Sequence, residues 1–213
     1  MDADRRALAY ETLRPEILSL VPARARRVLD LGCAAGALGA ALKERGDVHV
    51  TGIERDPGYA AAAAQVYDRV IAGDVEAVPA DLSRFDCLVA ADVLEHLVDP
   101  WSALAAYARL LEPGCRAIVS LPNVAHWTTY AALARGSWPR REEGVHDATH
   151  LRWFTRRDAI ELCEQAGLVV ERVEHRTWLL WRGTRIDRYA GPLAGLAPFT
   201  FQHVLAARKL HRP

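Results

Sequence analysis

The sequence predicts an α/β fold: a doubly wound, mostly parallel sheet with helices on both faces. Three observations carry that expectation. Short apolar runs recur at "RRVLDL" (Arg26 to Leu31), "VHVTGIE" (Val48 to Glu54), "DRVIAGD" (Asp68 to Asp74), "FDCLVAAD" (Phe85 to Asp92) and "CRAIVSLP" (Cys115 to Pro122). Runs of this kind suit parallel strands buried on both faces. Helical stretches separate them, and such alternation implies a parallel sheet with right-handed crossovers. Near the end the rhythm breaks. "GLVVERVEHRTW" (Gly167 to Trp178) and "FTFQHVLAARK" (Phe199 to Lys209) are strand-like with no full helix between them, which predicts a hairpin-like antiparallel edge.

The helices have readable starts. Asp56-Pro57 and Asp99-Pro100 each place an N-cap acceptor before a proline at the first helical position, where a missing N–H costs nothing. Thr155 opens "TRRDAIELCEQAG", with Asp158 in the capping-box position and Gly167 as the stop. The segment from Asn123 to Phe154 shows no clear periodicity and is rich in Trp, His and Arg. A long irregular insertion of this kind is usually functional or a lid.

At 213 residues the chain reads as one domain over 1–213, with an N-terminal cap-helix region at 1–22 and a lid insertion over the acceptor site at 123–154. Half of it is hydrophobic (51%) and the formal net charge is zero, so no bulk attraction to nucleic acid or to a membrane surface is implied. Nearly all basic residues are arginine; Lys43 and Lys209 are the lysines. With the alanine runs, that bias reads as genome composition rather than as a phosphate-binding surface. No run approaches the roughly 20 apolar residues needed to span a bilayer. "MDADRRALAY" lacks an apolar signal core. The four cysteines (Cys33, Cys87, Cys115, Cys163) are scattered without a C-x-x-C pair, and read as reduced, mostly buried thiols. A cytoplasmic protein is expected.

In an open α/β sheet, ligands bind beyond the C-terminal ends of the strands. "LDLGCAAGALG" lies there: Gly32, Ala34 and Gly36 let the backbone approach a ligand, and the following helix presents free N–H groups. Three strand-terminal acids sharpen the reading. Asp30 suits a cationic or donor-rich ligand better than a pyrophosphate, Glu54 can accept both hydroxyls of a ribose, and Asp74 can accept from an adenine amino group. Each acid alone could simply cap a turn; three in this order form a more specific pattern. A dinucleotide fingerprint, G-x-G-x-x-G, is not met, because "AAGALG" lacks its first glycine.

These residues resemble the class I S-adenosylmethionine (SAM)-dependent methyltransferases along nearly the whole chain. "VLDLGCAAGALG" is similar to the family's first motif, "GIERD" to its ribose-binding acid, and "AGDVE" to its adenine-binding turn. "FDCLVAADVLEHLVDP" and "LLEPGCRAIVSLPN" resemble its fourth and fifth strands. The resemblance implies a Rossmann-like, seven-stranded sheet with an antiparallel last strand. It also implies SAM as cofactor, S-adenosylhomocysteine as product, and contacts from Asp30, Gly32, Cys33, Ala34, Gly36, Glu54, Arg55, Asp74, Val75 and Ala91. Ala34 departs from the family's usual second glycine. Arg14 either reaches the methionine carboxylate or pairs on the surface.

Methyl transfer needs alignment of nucleophile, methyl and sulfur, and an oxygen acceptor also needs its proton removed. Histidines are therefore the candidates. If the chain after Asp92 turns helical, Asp92, Glu95 and His96 share one face at i, i+3 and i+4. This "DVLEH" is similar to the E-x-x-E-H of ubiquinone-pathway O-methyltransferases, which implies a possible divalent metal on Asp92, Glu95 and His96, or a base role for His96. In "GVHDATHLRWFT", His146, Asp147 and His150 can form an oriented base. That phrase is similar to "LD-x-THLRFFT" of methyltransferases associated with bacterial cell-surface sugar genes, where the histidine and arginine (His150 and Arg152 here) either act in catalysis or hold the lid. His126 is a third candidate. Trp127, Trp138 and Trp153 either line an acceptor pocket or pack the lid.

The function expected is methylation of a small molecule, most simply at a hydroxyl on a saccharide or natural product, by a monomer or homodimer with no nucleic-acid partner. "AIVSLPNVAHW" with "ARGSWP" also resembles MetW-type proteins that associate with a homoserine acyltransferase. That offers a second reading: a methyltransferase-fold partner protein with little catalysis.

Overall fold

The computed structural model describes residues 12–177 and 197–210. In chain order these form α1 (Pro15–Leu20), β1 (Arg27–Leu31), α2 (Ala37–Glu44), β2 (His49–Glu54), α3 (Pro57–Ala63), β3 (Arg69–Ala72) and β4 (Phe85–Ala91). A 3-10 turn (Leu94–His96), α4 (Pro100–Leu110), β5 (Leu111–Pro122), α5 (Trp127–Ala134), α6 (Arg156–Gln165), β6 (Leu168–Thr177), a second 3-10 turn (Ala197–Phe199) and β7 (Thr200–Lys209) follow.

The seven strands make one sheet in the order β3-β2-β1-β4-β5-β7-β6. β1 pairs in parallel with β2 and β4, β2 with β3, and β4 with β5; β7 runs antiparallel to both β5 and β6. The chain leaves β1 toward one edge and returns at β4 to go the other way. The crevice above β1 and β4 is therefore the switch point at which such sheets bind ligands.

Alternation along each strand divides the core. Leu29, Leu31, Leu88 and Ala90 face the layer of α4 and α6, with Leu104, Tyr107 and Leu162. Val28, Val50, Val89 and Ile118 face Ile17, Leu42 and Ala63 on the other side. Burying each large side chain completely contributes about 1.5–3 kcal/mol. The helix starts lie where the sequence puts them. Asp56 accepts from the N–H groups of Gly58 and Tyr59, and Asp99 from that of Ser102; Thr155 and Asp158 close a reciprocal capping box.

One expectation is met and another changes. The C-terminal pair is the antiparallel edge expected, with β7 inserted between β5 and β6 and β6 outermost. Composition explains the order: β7 buries Val204, Leu205, Ala206 and Ala207, whereas β6 carries the exposed charges Glu171, Arg172 and Arg176. Within the supposedly irregular 123–154 segment lies α5, eight residues long. Its sequence, "WTTYAALA", contains no charge and so shows no polar stripe to mark a helical period. Of the expected 1–22 cap-helix region, α1 is the described helix; residues 1–11 lie outside the described residues. No helix among the described residues is long and apolar enough to cross a membrane.

Candidate active site

The loop from β1 to α2 is held open by three left-handed residues: Gly32 (φ 67°), Ala34 (φ 46°) and Gly36 (φ 92°). A Cβ on Gly32 would meet Val93 Cγ2 at 2.9 Å. At Ala34 the methyl group makes that conformation cost about 1 kcal/mol or more. Its N–H is compensated by Glu54 Oε2 at 2.9 Å, while Glu54 Oε1 accepts from Asp56 N–H at 2.9 Å. Each carboxylate oxygen keeps a further lone pair, enough for two neighbouring hydroxyls. Cys33 is buried, and its N–H and that of Gly32 both donate to Ile53 O.

Asp30, a candidate for contact with the cofactor, is held within the fold. Alternation along β1 turns it toward α2 and α3, where it is 4% exposed. The Tyr67 hydroxyl donates to its Oδ2 at 2.6 Å and accepts from Gly39 N–H at 3.2 Å. Burial pushes the Asp30 carboxyl up to about 7; Tyr67 opposes that shift and the Glu54 charge adds to it. No local sequence pattern marks Tyr67 as the partner.

At the end of β3, Asp74 is exposed and accepts from Glu76 N–H. Val75 is buried, with its carbonyl accepting from Tyr107. The Glu76 carboxylate accepts from the N–H groups of Val98 and Asp99, which fastens this turn to the approach of α4. Arg55 is exposed and Ala91 half-buried beside the same crevice.

Asp92 ends β4 in the left-handed region, at φ 56°. Its carboxylate accepts from Arg14 Nη1, from Ser120 Oγ at 3.0 Å and from Gln202 Nε2. Arg14 further donates to Glu16, Ser120 and Gln202. Burial works against the Arg14 charge, but Asp92 and Glu16 outweigh it and raise its pKa. The shared face expected for Asp92, Glu95 and His96 therefore does not form. The left-handed turn sends Asp92 to Arg14, and a 3-10 turn replaces the anticipated α-helix. Arg14 in turn spends its donors on side chains of this network.

Glu95 and His96 meet His150 instead. The three offer donor atoms that all lie within 4.8 Å of one another. Glu95 is 1% exposed and its Oε2 has no hydrogen-bond partner among the described residues; its Oε1 is 4.0 Å from His150 Nε2. The rings of His96 and His150 meet edge to face at 4.7 Å. The 123–154 segment clamps this corner, since the N–H groups of Leu151 and Arg152 both donate to Glu95 O, at 2.9 and 3.0 Å. Burial, with Asp92 next, raises the Glu95 carboxyl well above the ordinary range. Burial lowers both His96 and His150, which favours neutral imidazoles.

The remaining candidates occupy separate positions. Asp147 Oδ1 accepts from the N–H and Oγ1–H of Thr149, at 2.8 and 2.6 Å, and Thr149 Oγ1 lies 3.1 Å from His96 Nδ1. Thr149 was not among the residues the sequence singles out; the "DAT" turn is its only local trace. His146 packs on α5, 3.2 Å from Thr129 Oγ1 and edge to face with Trp138. His126 lies 2.8 Å from Thr128 Oγ1. Trp127, Trp138 and Trp153 are exposed. Trp153 also walls a groove of about 430 Å³ with Trp101, Phe154, Asp158, Glu161 and Gln165, and no residue of the His96 cluster lines it.

Comparison with known proteins agrees with this geometry. The model of the methyltransferase domain family matches residues 2–173. A ubiquinone biosynthesis O-methyltransferase of Aeromonas salmonicida is 31% identical over 157 residues, which cover 68% of this chain and 63% of that protein, less than two thirds of its length. A second of the same name, from Hahella chejuensis, is 27% identical over 188 residues, 78% of each chain. Among solved structures, a SAM-dependent methyltransferase of Mesorhizobium loti superposes with a TM-score of 0.66 at 21% identity, over 92% of this chain and 96% of that one. A putative methyltransferase of Haloferax volcanii, in complex with the Trm112 activator, gives 0.68 at 17% identity, over 99% and 96%. With the switch-point crevice, the acid-tipped strands and the family match in agreement, the chain belongs to the class I SAM-dependent methyltransferases.

Proposed function

We propose that this methyltransferase carries the methyl group of SAM to a hydroxyl oxygen of a small molecule, a saccharide or natural product, with His96 taking the hydroxyl proton. One observation carries the reading: the junction of buried Glu95 and His150 with half-buried His96 at the mouth of β4, clamped by the 123–154 segment. The new C–O bond forms as the C–S bond breaks, the electron pair stays on sulfur, and the proton passes from oxygen to the imidazole. Alignment of the reacting atoms supplies several kcal/mol, and a positioned base about 10²–10⁴-fold in rate. Glu54 and Asp74 hold the ribose and adenine of the cofactor. The O-methyltransferase names of the relatives support an oxygen acceptor, and "THLRWFT" supports the acceptor class.

Glu95, His96 and His150 also fit a divalent cation better than the set containing Asp92. Their donor set of two imidazoles and one carboxylate is a common one, and Glu95 Oε2, without a hydrogen-bond partner among the described residues, is an atom a cation would satisfy. When bound, it would lower the pKa of a hydroxyl. Cation and proton compete for His96, so metal dependence separates the two roles.

Methyl transfer from isotope-labelled SAM into a metabolite extract, read by mass spectrometry with and without chelator, tests the proposal. A labelled ether, lost by at least about 10²-fold in His96→Ala, supports it. SAM binding without any labelled product would overturn it in favour of the MetW-type partner reading. Label on nitrogen or sulfur would overturn the oxygen assignment.

A further inference from the structure

We infer that Thr149 is a positioning residue for His96, holding its ring with the proton on Nδ1 and the lone pair on Nε2; this rests on the base role proposed above. The inference follows from where each proton must go. A threonine hydroxyl has one proton to give and two lone pairs to offer. Thr149 Oγ1 lies 2.6 Å from Asp147 Oδ1, which also accepts Thr149 N–H at 2.8 Å. A carboxylate only accepts, so the hydroxyl proton points at Asp147. Toward His96 Nδ1, 3.1 Å away, Oγ1 can then only accept. The Thr149 carbonyl, 3.3 Å from the same nitrogen, can only accept as well. Two acceptors therefore face Nδ1, and a neutral imidazole satisfies them by protonation there. Nε2 is left with the lone pair.

The carboxylate thus acts on the imidazole through a hydroxyl. Asp147 is itself pinned, since its N–H donates to Gly144 O at 3.0 Å in a turn where Gly144 has φ 87°. Two residues on, the lid delivers the N–H groups of Leu151 and Arg152 to Glu95 O. Lid seating and the choice of tautomer are consequently one event: a lid lifted from Glu95 also withdraws both acceptors from His96.

The test is long-range ¹⁵N–¹H correlation NMR of ¹⁵N-histidine-labelled, metal-free protein at pH 8, with the His96 signals identified by their loss in His96→Ala. Wild type should show a protonated Nδ1 and an unprotonated Nε2. Thr149→Val should shift the ring toward a mixture of tautomers and lower kcat about tenfold, the worth of roughly one hydrogen bond. Thr149→Ser, which keeps the hydroxyl, should restore both readings. SAM affinity by calorimetry should stay unchanged in either variant. A wild-type ring protonated at Nε2 would overturn the inference, as would a Val variant with the wild-type nitrogen pattern, whatever its kcat. A changed tautomer with unchanged kcat would uphold the role of Thr149 and remove the base role from His96.

Discussion

The Tyr67 hydroxyl donates to Asp30 Oδ2 across 2.6 Å, joining the end of β1 to the residue that precedes Asp68 and β3. This bond lies next to the loop between β1 and α2. With Asp30 pushed up to about 7 by burial, the folded protein holds its proton more tightly than the unfolded chain, where an aspartate titrates near about 3.9. Stability from this group is therefore greatest below about pH 4, falls as pH rises toward 7 and is level above it, a span on the order of 4 kcal/mol. Tyr67→Phe removes the donor that limits the shift, so the fall should extend past pH 7. Urea unfolding should show a loss of about 1 kcal/mol at pH 5 and about 2–3 kcal/mol at pH 8. Equal losses at both values would mean that Asp30 does not depend on the hydroxyl.

Gly39 offers a steric test of the same joint. A Cβ there would lie 1.9 Å from Tyr67 Cε1 and 2.4 Å from Cδ1, far inside contact distance. The ring is 6% exposed and its hydroxyl is fixed at both sides, so it has little room to retreat. Gly39→Ala should cost about 1–3 kcal/mol, as overpacking in a core does, although alanine is the better helix former. Thermal melts of Gly39→Ala and of the double variant with Tyr67→Ala decide the mechanism. If the ring is the obstacle, the two losses should fall short of adding up.

The difference between what the sequence reveals and what it hides follows chain separation. β1, β4 and the caps at Asp56, Asp99 and Thr155 are legible because local rules generate them: apolar runs for doubly buried strands and short side-chain-to-backbone bonds for caps. The loop between β1 and α2 is legible for the same reason, its small residues following one another directly. α5 is hidden because an uncharged two-turn helix carries no stripe. Asp92 misleads because nothing local announces a left-handed aspartate, and its partner Gln202 lies 110 positions away. The junction of His96 with Thr149 spans 53 positions and depends on the 123–154 segment, whose course only the fold reveals. Pairings of that kind are made by tertiary structure, which overrides local pattern.

Glu54 accepts from both Ala34 N–H and Asp56 N–H, so its replacement should do more than remove the ribose contact proposed for it. Glu54→Ala should weaken SAM about 10–100-fold, the loss of hydrogen bonds to a charged acceptor. Asp74→Ala, at an exposed carboxylate with one local bond, should cost about tenfold at most. Calorimetric titration with SAM gives both values. Wild-type affinity in Glu54→Ala would remove Glu54 from the cofactor site.

Glu95 should show the opposite balance, with function kept at the expense of stability. The residue is 1% exposed, Oε2 has no hydrogen-bond partner among the described residues, and His150 Nε2 is 4.0 Å from Oε1. A buried acid in that state is held against its desolvation cost by the surrounding fold. Glu95→Gln keeps the shape and removes the ionisable group. In metal-free buffer at pH 8, where an unfolded glutamate is charged, the variant should be more stable than wild type by about 1–3 kcal/mol. Methyl transfer should fall in the same variant, as expected where a site is kept strained for its chemistry. Chemical denaturation beside a transfer assay reads both quantities. A glutamine variant less stable than wild type would show that the carboxylate is satisfied in solution, by a water or an ion reaching Oε2, and that the junction is wetter than its burial implies.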